Sequence, residues 1–243
     1  MVKLGGSLIT VKDEPYTINM EALEKAVGEL AGFHRSGGRL TIVHGGGSFG
    51  HAAARMAMER RGGKLLALDA PEIQEAMLKL GIMVVATLRS HGVPATMHPP
   101  HTMCLELPCR MEPMVRDLSQ GLVPVTYGDA LPIRGETIIV SGDDLAAWLA
   151  VEVGADCLVY VTRVPGVLGP NGEVLQVVEG LGKPVGGGEG LDVTGGMRRK
   201  LEAALRASAG VATVRIVGLE GLGPALRGMP VGTLVRRPAR RPS

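Results

Sequence analysis

A chain of 243 residues, 45% of them hydrophobic and with a net charge of +2, can bury a substantial core in one large domain or two small ones. Aromatic residues make up only 2%, which means an aliphatic core and few side chains that could stack on nucleic-acid bases. No apolar run reaches the length of a membrane span, and no signal-like segment precedes the first motif. We therefore expect a cytoplasmic protein without a nucleic-acid or membrane partner.

Short apolar runs alternate with amphipathic stretches along the chain. In order, the predicted strands are MVKL, RLTIVH, VPATM, LVPVTYGD, ETIIVSGDD, DCLVYVT, ATVRIVG and GTLVRR. The predicted helices are residues 19–35, HAAARMAMERR, the segment that Pro71 opens, DLAAWLAVEVG and GGMRRKLEAALRASAG. PNGE predicts the turn of a hairpin between GVLG and VLQVV. Strands separated by helix-length segments predict an α/β fold, with a mostly parallel sheet covered on both faces.

Glycine-rich turns follow several of these strands. They are Gly5-Gly6-Ser7, residues 45–50, residues 141–144 and Gly195-Gly196. Because ligands of parallel α/β sheets bind at the carboxyl ends of the strands, we expect these turns to meet in one site. We find no linker and expect a single domain over residues 1–243, with the glycine-rich segment 180–190 as a loop beside the site.

The glycine loop HGGGSFGH matches more than one motif. Gly45, Gly47 and Gly50 fit the dinucleotide fingerprint G-x-G-x-x-G, and KLLALD could then be the next strand, with Asp69 as a ribose-binding acid. That interpretation puts the fingerprint on the second strand and leaves SGDD and DVTGGMRRK unexplained. The loop also fits the esterase motif G-x-S-x-G around Ser48, but the later histidines precede most candidate acids. No Gly-Lys pair fits a Walker A loop.

Charged residues accompany the glycine turns. Lys3 precedes the first turn, Lys12 lies just after it, and Lys200 lies one turn into the helix that Gly195 opens. Asp144 begins the DDLAAWLA helix, where it could orient lysines. Backbone N–H groups at glycine turns and helix N-termini attract phosphate oxygens, and phosphoryl transfer mainly requires positioning and positive charge. The pattern therefore predicts a phosphoryl-transfer site assembled from several loops.

The motifs KLGGS, VHGGGSFGH, VTYGD, SGDD and DVTGGMRRK come in the order and spacing of the amino acid kinase superfamily, which the chain resembles over nearly its whole length. Within it, HGGGSFGH with its closing His51 most resembles the isopentenyl phosphate kinases. The resemblance implies a three-layer αβα sandwich, usually a homodimer, with an acceptor side in about 1–130 and a nucleotide side in about 131–243. It implies transfer of the γ-phosphoryl group of ATP, accompanied by Mg²⁺, to an isoprenoid monophosphate.

The resemblance also implies a role for each motif. Lys12 and Lys200 would stabilise charge on the transferring group, and Lys3 would lie along the ATP phosphates. Asp144 would hold the lysines, and His51 would hydrogen-bond the acceptor phosphate. The residues that would contact the nucleotide are Lys3, Gly5, Gly6, Ser7, Gly47, Thr162, Gly166, Val167, Gly196 and Lys200. Those that would contact the acceptor are Gly45, Gly46, Gly50, His51, Ser141 and Gly142. No residue is assigned to a resident metal.

Departures from the family pattern leave alternatives open. The segment TRVPG at 162–166 stands where many relatives have TDVDG, and the Ser…His pattern that relatives carry after the closing histidine is missing. An apolar acceptor pocket and ordinary core are both open for five residues: Met77, Leu80, Met83, Val84 and Met97. The alternative functions are a phosphonate or other small-molecule kinase of the same fold, and a non-catalytic nucleotide- or oxyanion-binding protein.

One further cluster lies in the segment HPPHTMCLELPC. It brings His98, His101, Cys104 and Cys109 close together in the sequence, and such side chains can bind zinc. The spacing fits no standard zinc site, so we favour a plain loop over the acceptor pocket. With Cys157, the three cysteines provide no disulfide framework, and we expect reduced thiols.

Overall fold

The structure is a computed structural model that describes residues 1–181 and 195–237; the segments 182–194 and 238–243, and with them most of the predicted loop 180–190, lie outside the described residues. The described strands are β1 (Val2–Leu4), β2 (Ile42–His44), β3 (Ala95–Met97), β4 (Val123–Tyr127), β5 (Asp129–Ile133), β6 (Glu136–Val140), β7 (Cys157–Thr162), β8 (Val177–Val178), β9 (Thr213–Gly218) and β10 (Thr233–Val235). The described helices are α1 (Gly6–Ile9), α2 (Met20–Arg35), α3 (Gly47–Arg60), α4 (Ala70–Ser90), α5 (Glu112–Ser119), α6 (Gly142–Glu152), α7 (Gly195–Ala207) and α8 (Leu222–Leu226). None of these helices combines the length and the hydropathy that crossing a membrane requires.

The central sheet runs in the order β3-β4-β2-β1-β7-β9-β10-β8. Its neighbouring strands are parallel, except that β9 and β10 are antiparallel. Leu4 at the end of β1 lies opposite His44 of β2 and Val161 of β7, so the segments that follow these strands start at one edge of the sheet. The prediction of a mostly parallel sheet is confirmed.

Helices cover both faces of the sheet, as the alternation of side chains along its strands requires. In β2, Ile42 packs into a core cluster with residues of α2, α3 and α4, whereas Val43 packs into a second cluster with residues of α6 and α7. Both clusters consist mainly of aliphatic side chains, as the composition predicts. The chain therefore has the predicted α/β architecture of three layers.

Local sequence signals set the bounds of the predicted helices. The Asn19 side chain accepts a hydrogen bond of 3.1 Å from the Ala22 amide, so α2 begins at Met20. Pro71 lies in the first turn of α4, where its missing N–H removes no helical hydrogen bond. Helix α3 begins at Gly47, earlier than predicted, so the second half of the glycine loop forms its first turn.

The segment KLLALD does not form the strand that the dinucleotide alternative requires. Ala67–Asp69 is a short 3-10 helix, and Asp69 accepts a hydrogen bond of 2.8 Å from the Leu66 amide. The same carboxylate forms an ion pair with Arg61 at 3.2 Å. The Asp69 carboxylate is thus occupied by the Leu66 amide and Arg61, and the prediction that it binds a ribose is wrong.

Two further regions differ from the prediction. The turn in PNGE is present, since Leu168 and Val174 form an antiparallel bridge, but β8 joins the main sheet parallel to β10 instead of extending a hairpin. The hairpin of β5 and β6 and the helix α5 are not predicted. Pro132 interrupts the apolar pattern of β5, and α5 has only 8 residues, so neither leaves a strong periodic signal.

Cys104 and Cys109 form a disulfide bond, so the expectation of reduced thiols is wrong for this pair. The turn between them brings their Cα atoms to 4.8 Å, which is within the range of disulfides. Cys157 is free. A count of cysteines does not show that a short turn places two of them side by side.

Glycines let the turns after β1, β2 and β6 approach one another backbone against backbone. A Cβ atom at Gly6 would lie 2.8 Å from Gly47 Cα, and one at Gly45 would lie 2.7 Å from the Gly6 nitrogen. A Cβ atom at Gly142 would lie 2.8 Å from the His44 carbonyl oxygen. A larger residue would therefore push the turns apart, and glycine is what allows the three turns to form one packed site.

We expect Gly6→Ala to lower the free energy of unfolding by about 1–3 kcal/mol, because the added methyl group would collide with backbone atoms of Gly47. Gly28→Ala is the matched control, since Gly28 is exposed within α2 and a Cβ atom there meets nothing within 4 Å. That change should raise the free energy of unfolding by about 0.5–1 kcal/mol. Urea unfolding measures both, and a Gly6→Ala variant as stable as the wild type would contradict the packing.

Candidate active site

Two lysines from distant parts of the chain share one carboxylate oxygen. Lys3 lies in β1, Lys200 lies in α7, and both reach Asp143 in the first turn of α6. Asp143 Oδ1 lies 2.7 Å from Lys3 Nζ and 2.9 Å from Lys200 Nζ. Tyr160 lies beside them: its ring centre is 5.5 Å from Lys200 Nζ, and its hydroxyl donates to the Asp143 carbonyl oxygen at 3.1 Å. We call Lys3, Asp143 and Lys200 the lysine cluster.

Burial and mutual contact set the charge state of the lysine cluster. Burial alone would raise the pKa of Asp143, but the two ammonium groups outweigh it and hold the pKa of this carboxyl well below its usual range. Burial, together with repulsion by Lys3, lowers the pKa of Lys200 to about 8. Near neutral pH the cluster therefore carries an excess of positive charge, which phosphate oxygens could neutralise.

The lysines are held by Asp143 rather than by Asp144, the residue that the sequence predicts for this role. Asp144 forms an ion pair with Arg206 of α7. It also accepts a hydrogen bond of 2.7 Å from the Ser141 hydroxyl, whose oxygen accepts one of 3.1 Å from the Asp144 amide. Ser141 thus caps α6. Two adjacent aspartates open this helix, and the sequence alone does not show which one faces the lysines.

A cavity of about 530 Å³ lies between the chain around α1 and the start of α3. Its wall includes Ser7, Thr10, Lys12, Asp13, Gly47, His51 and Arg55. Gly47 has a φ of +48°, and Thr10 Oγ1 accepts a hydrogen bond of 2.9 Å from the Ser48 amide, which ties α3 to the chain after α1. The structure thus brings four predicted site residues to one cavity: Ser7, Lys12, Gly47 and His51.

The His51 side chain is exposed at this cavity and surrounded by positive charge. Partial desolvation, followed by the charges of Arg199, Lys3 and Arg55, lowers the pKa of His51. The imidazole is therefore neutral at pH 7 and can donate from one ring nitrogen. An anion in the cavity would raise the pKa of His51 again, because negative charge favours the imidazolium form.

Met77 lies directly beneath the glycine loop. Its sulfur would be 3.0 Å from a Cβ atom at Gly46 and 2.7 Å from one at Gly50. The absence of side chains at these glycines therefore leaves room for the methionine. The other candidates for an apolar pocket belong to the core or its margin: Leu80 and Val84 are fully buried, and Met83 and Met97 are half-buried. The structure therefore favours ordinary core for Leu80 and Val84.

The residues predicted to border the nucleotide differ in their accessibility. Val167 is fully buried, and its amide donates to Thr233 Oγ1 at 2.8 Å, so neither its side chain nor its amide is available to a ligand, contrary to the prediction. Gly166 packs against the same threonine, since a Cβ atom there would lie 2.8 Å from Thr233 Oγ1. Thr162 ends β7 at the edge of the sheet where the glycine turns lie, and Gly196 is exposed at the start of α7.

The histidines of HPPHTMCLELPC each pair with a carboxylate. His98 Nε2 lies 2.9 Å from Asp117 Oδ2, and His101 Nδ1 lies 2.7 Å from Asp129 Oδ2. With the two cysteines in a disulfide, no group of three His, Cys, Asp or Glu side chains within residues 1–181 and 195–237 is placed to hold a metal ion. Each histidine of this segment thus contacts a carboxylate of the chain, and none of residues 98–109 lines the cavity at Gly47.

Sequence reasoning misses Thr10, Arg55 and Arg199. Thr10 bonds the first turn of α3, Arg55 lines the cavity, and the charge of Arg199 acts on His51. A signal was available for Arg55, because it follows His51 by four residues and so lies on the same helical face. For Thr10 and Arg199 the contacts depend on tertiary packing.

Backbone-packed glycine turns, a buried lysine cluster and a cavity at the carboxyl edge of a parallel sheet define a phosphate-binding α/β protein. The model of the amino acid kinase family matches residues 1–218, and the chain belongs to this family. It is 36% identical to the isopentenyl phosphate kinase of Haloferax volcanii, over 97% of this chain and 98% of that protein. It is 31% identical to the isopentenyl phosphate kinase of Methanocaldococcus jannaschii, over 83% of this chain and 85% of that protein.

A solved structure supports the same relationship. The crystal structure of the T. acidophilum isopentenyl phosphate kinase product complex matches with a TM-score of 0.80 and 25% sequence identity. The match covers 97% of this chain and 98% of that chain.

The two adjacent aspartates should differ sharply when each is changed to asparagine. Asp143→Asn leaves two buried ammonium groups without their counter-charge and should lower the free energy of unfolding by about 3–5 kcal/mol. Asp144→Asn removes a partly exposed pair with Arg206 and should cost less than about 1 kcal/mol. Urea unfolding at pH 7 compares them, and equal losses would show that Asp143 does not hold the lysines.

His44 should make stability depend on pH. It is fully buried at the end of β2, and burial lowers its pKa from 6.5 to about 4. In the unfolded chain this histidine is protonated below about pH 6.5, whereas in the folded chain it is protonated only below about pH 4. The free energy of unfolding therefore falls as the pH falls through this window. Between pH 7 and pH 5 the protonation of His44 in the unfolded chain should lower the free energy of unfolding by about 2 kcal/mol.

The measurement is urea unfolding of the wild type and His44→Gln at both pH values. The variant should lose less stability than the wild type, and the difference isolates this residue because the other titrating groups are common to both. Equal losses would contradict a buried neutral His44.

Proposed function

We propose that this protein is an ATP-dependent kinase that transfers the γ-phosphoryl group of ATP to isopentenyl phosphate and forms isopentenyl diphosphate. One observation carries the proposal: His51 and Lys12 face a cavity at the Gly47 turn, and that turn packs on the turn that follows Lys3. Membership of the amino acid kinase family supports the transfer of a phosphoryl group. The two relatives that are isopentenyl phosphate kinases support the choice of acceptor.

The lysine cluster and the turn after β1 suit the phosphates of ATP. Helix α1 has no side-chain cap, so the amides of Gly6 and Ser7 can donate hydrogen bonds to phosphate oxygens. Asp143 holds Lys3 and Lys200 in place before the reaction begins. Charge that develops on the transferring group then meets ammonium groups that need no reorganisation, which is the main requirement of electrostatic catalysis.

The start of α3 and His51 suit the acceptor phosphate. Helix α3 also lacks a side-chain cap at Gly46. The amides of Ser48, Phe49 and Gly50 already donate to Thr10 Oγ1 and the Gly46 carbonyl oxygen, so the Gly47 amide is the one that can donate to a phosphate oxygen. His51 adds a ring N–H, and Lys12 adds positive charge from the same cavity wall. An oxygen of the acceptor phosphate bonds to the γ-phosphorus, the bond to the β-phosphate oxygen breaks, and ADP leaves.

Mg²⁺ is proposed to accompany ATP. The carboxylates at the site are Asp143, which two lysines occupy, and Asp13 on the cavity wall. They do not form a ligand group with a third acidic or histidine side chain in the described part of the chain. Phosphate oxygens and water would therefore be the main ligands of Mg²⁺, and no residue of the chain is assigned to it.

We also propose the division of the chain into two sides and a homodimer. The cavity residues lie within about 1–130, whereas Asp143 and Lys200 lie within about 131–243, which supports an acceptor side and a nucleotide side that meet at Lys3. In support of a dimer, β3 is an edge strand of the sheet. A shallow apolar groove of about 160 Å³, lined by Ile82, Val85 and Met97 among others, runs beside it.

ADP release from ATP and Mg²⁺ tests the acceptor, with isopentenyl phosphate, dimethylallyl phosphate, fosfomycin, glutamate and no acceptor in parallel. We expect strong turnover with isopentenyl phosphate. His51→Ala should lower kcat/KM for this acceptor by about ten- to a hundredfold, since a hydrogen bond to a charged group is lost. His91→Ala is the matched control, because His91 ends α4 and pairs with Glu24 away from the cavity.

Each other outcome has a definite meaning. Turnover with fosfomycin alone would replace the proposal with a phosphonate kinase. Tight binding of ATP without turnover of any acceptor would contradict it in favour of a nucleotide-binding protein.

A further inference from the structure

Arg55 lies one helical turn after His51 and faces the same cavity. Both residues belong to α3, and residues four positions apart project from one face of a helix. Both line the cavity of about 530 Å³ together with the first-turn residue Gly47. Arg55 is exposed there, so its guanidinium is accessible to a ligand that enters the cavity.

The arginines of α3 differ in what they contact. Arg60 pairs with Glu72, and Arg61, just after the helix, pairs with Asp69. Within the described ranges, Arg55 forms no ion pair with a carboxylate of the protein. Its positive charge is close enough to His51 to disfavour protonation of that ring. Arg55 thus adds a positive charge that is not held in an ion pair by the described residues to the wall where we propose that the acceptor phosphate binds.

We propose that Arg55 binds the acceptor phosphate together with His51 and makes the site selective for a doubly charged phosphate group. This inference rests on the proposed function and extends it. A guanidinium can donate two parallel hydrogen bonds to two oxygens of one phosphate. Its charge stabilises a phosphate that carries close to two negative charges at pH 7 more than it stabilises a singly charged carboxylate.

Steady-state kinetics of Arg55→Gln tests the role, because glutamine keeps a similar length and removes the charge. We expect KM for isopentenyl phosphate to rise about ten- to a hundredfold, as for the loss of a charge-assisted hydrogen-bonded pair, while KM for ATP stays unchanged. Arg55→Lys keeps the charge but loses the planar guanidinium. Its KM for isopentenyl phosphate should lie between those of the wild type and Arg55→Gln. Arg60→Gln is the matched control on the same helix, and both KM values should remain those of the wild type.

The ring nitrogen signals of His51 give a second readout that a merely structural role would not move. Removing the Arg55 charge should raise the pKa of His51, whereas Arg60→Gln should leave it unchanged. The other charged groups that face His51 stay in place in both variants: Lys3 from β1, Arg199 from α7, and Lys12 and Asp13 from the cavity wall.

The outcomes separate this inference from the function on which it rests. An unchanged KM for isopentenyl phosphate in Arg55→Gln, or an equal rise in both KM values, would overturn it. A wild type without turnover of isopentenyl phosphate would remove the proposed function, and titration of His51 with inorganic phosphate would then decide. Phosphate that shifts the His51 signals in the wild type but not in Arg55→Gln would keep Arg55 as an anion-binding residue. Equal shifts in both would overturn the inference as well.

Discussion

Asp143 Oδ1 forms ion pairs with both Lys3 and Lys200, and this shared oxygen links β1, α6 and α7 at the edge of the sheet. Without the carboxylate, the two buried ammonium groups would repel each other. Burial would then favour the loss of a proton from one of them. With the carboxylate they stay charged and fixed in position. The site therefore holds net positive charge before any ligand arrives, which is what the binding of several phosphate groups requires.

The glycine turns complete this arrangement by bringing backbone amides to the same place. Gly6, Gly45 and Gly142 each lie so close to a neighbouring turn that a side chain would displace it. The same closeness places the cavity at Gly47 beside the turn after Lys3, so a donor and an acceptor phosphate can lie next to each other. His51 and Arg55 line the same cavity along α3, where Arg55 adds positive charge and the neutral His51 ring can donate a hydrogen bond.

The sequence predicts the layers, the parallel sheet and the strand ends where the candidate site lies, because these depend on local periodicity and on glycine turns. It does not distinguish Asp143 from Asp144, since both open α6 and only tertiary packing turns one of them to the lysines. Val167 looks like a loop residue beside TRVPG, but its amide is bonded to Thr233, which lies far along the chain. The disulfide between Cys104 and Cys109 depends on a turn that has no periodic signal.

The central claim is that one cavity places an acceptor phosphate between His51 and the phosphates of ATP at the lysine cluster. A crystal structure with isopentenyl phosphate and a non-hydrolysable ATP analogue tests it most directly. We predict the acceptor phosphate within hydrogen-bonding distance of His51 and the amide of Gly47, with the terminal phosphate of the analogue beside Lys3 and Lys200. A nucleotide whose phosphates lie away from the lysine cluster, or an acceptor bound outside the cavity, would contradict the account.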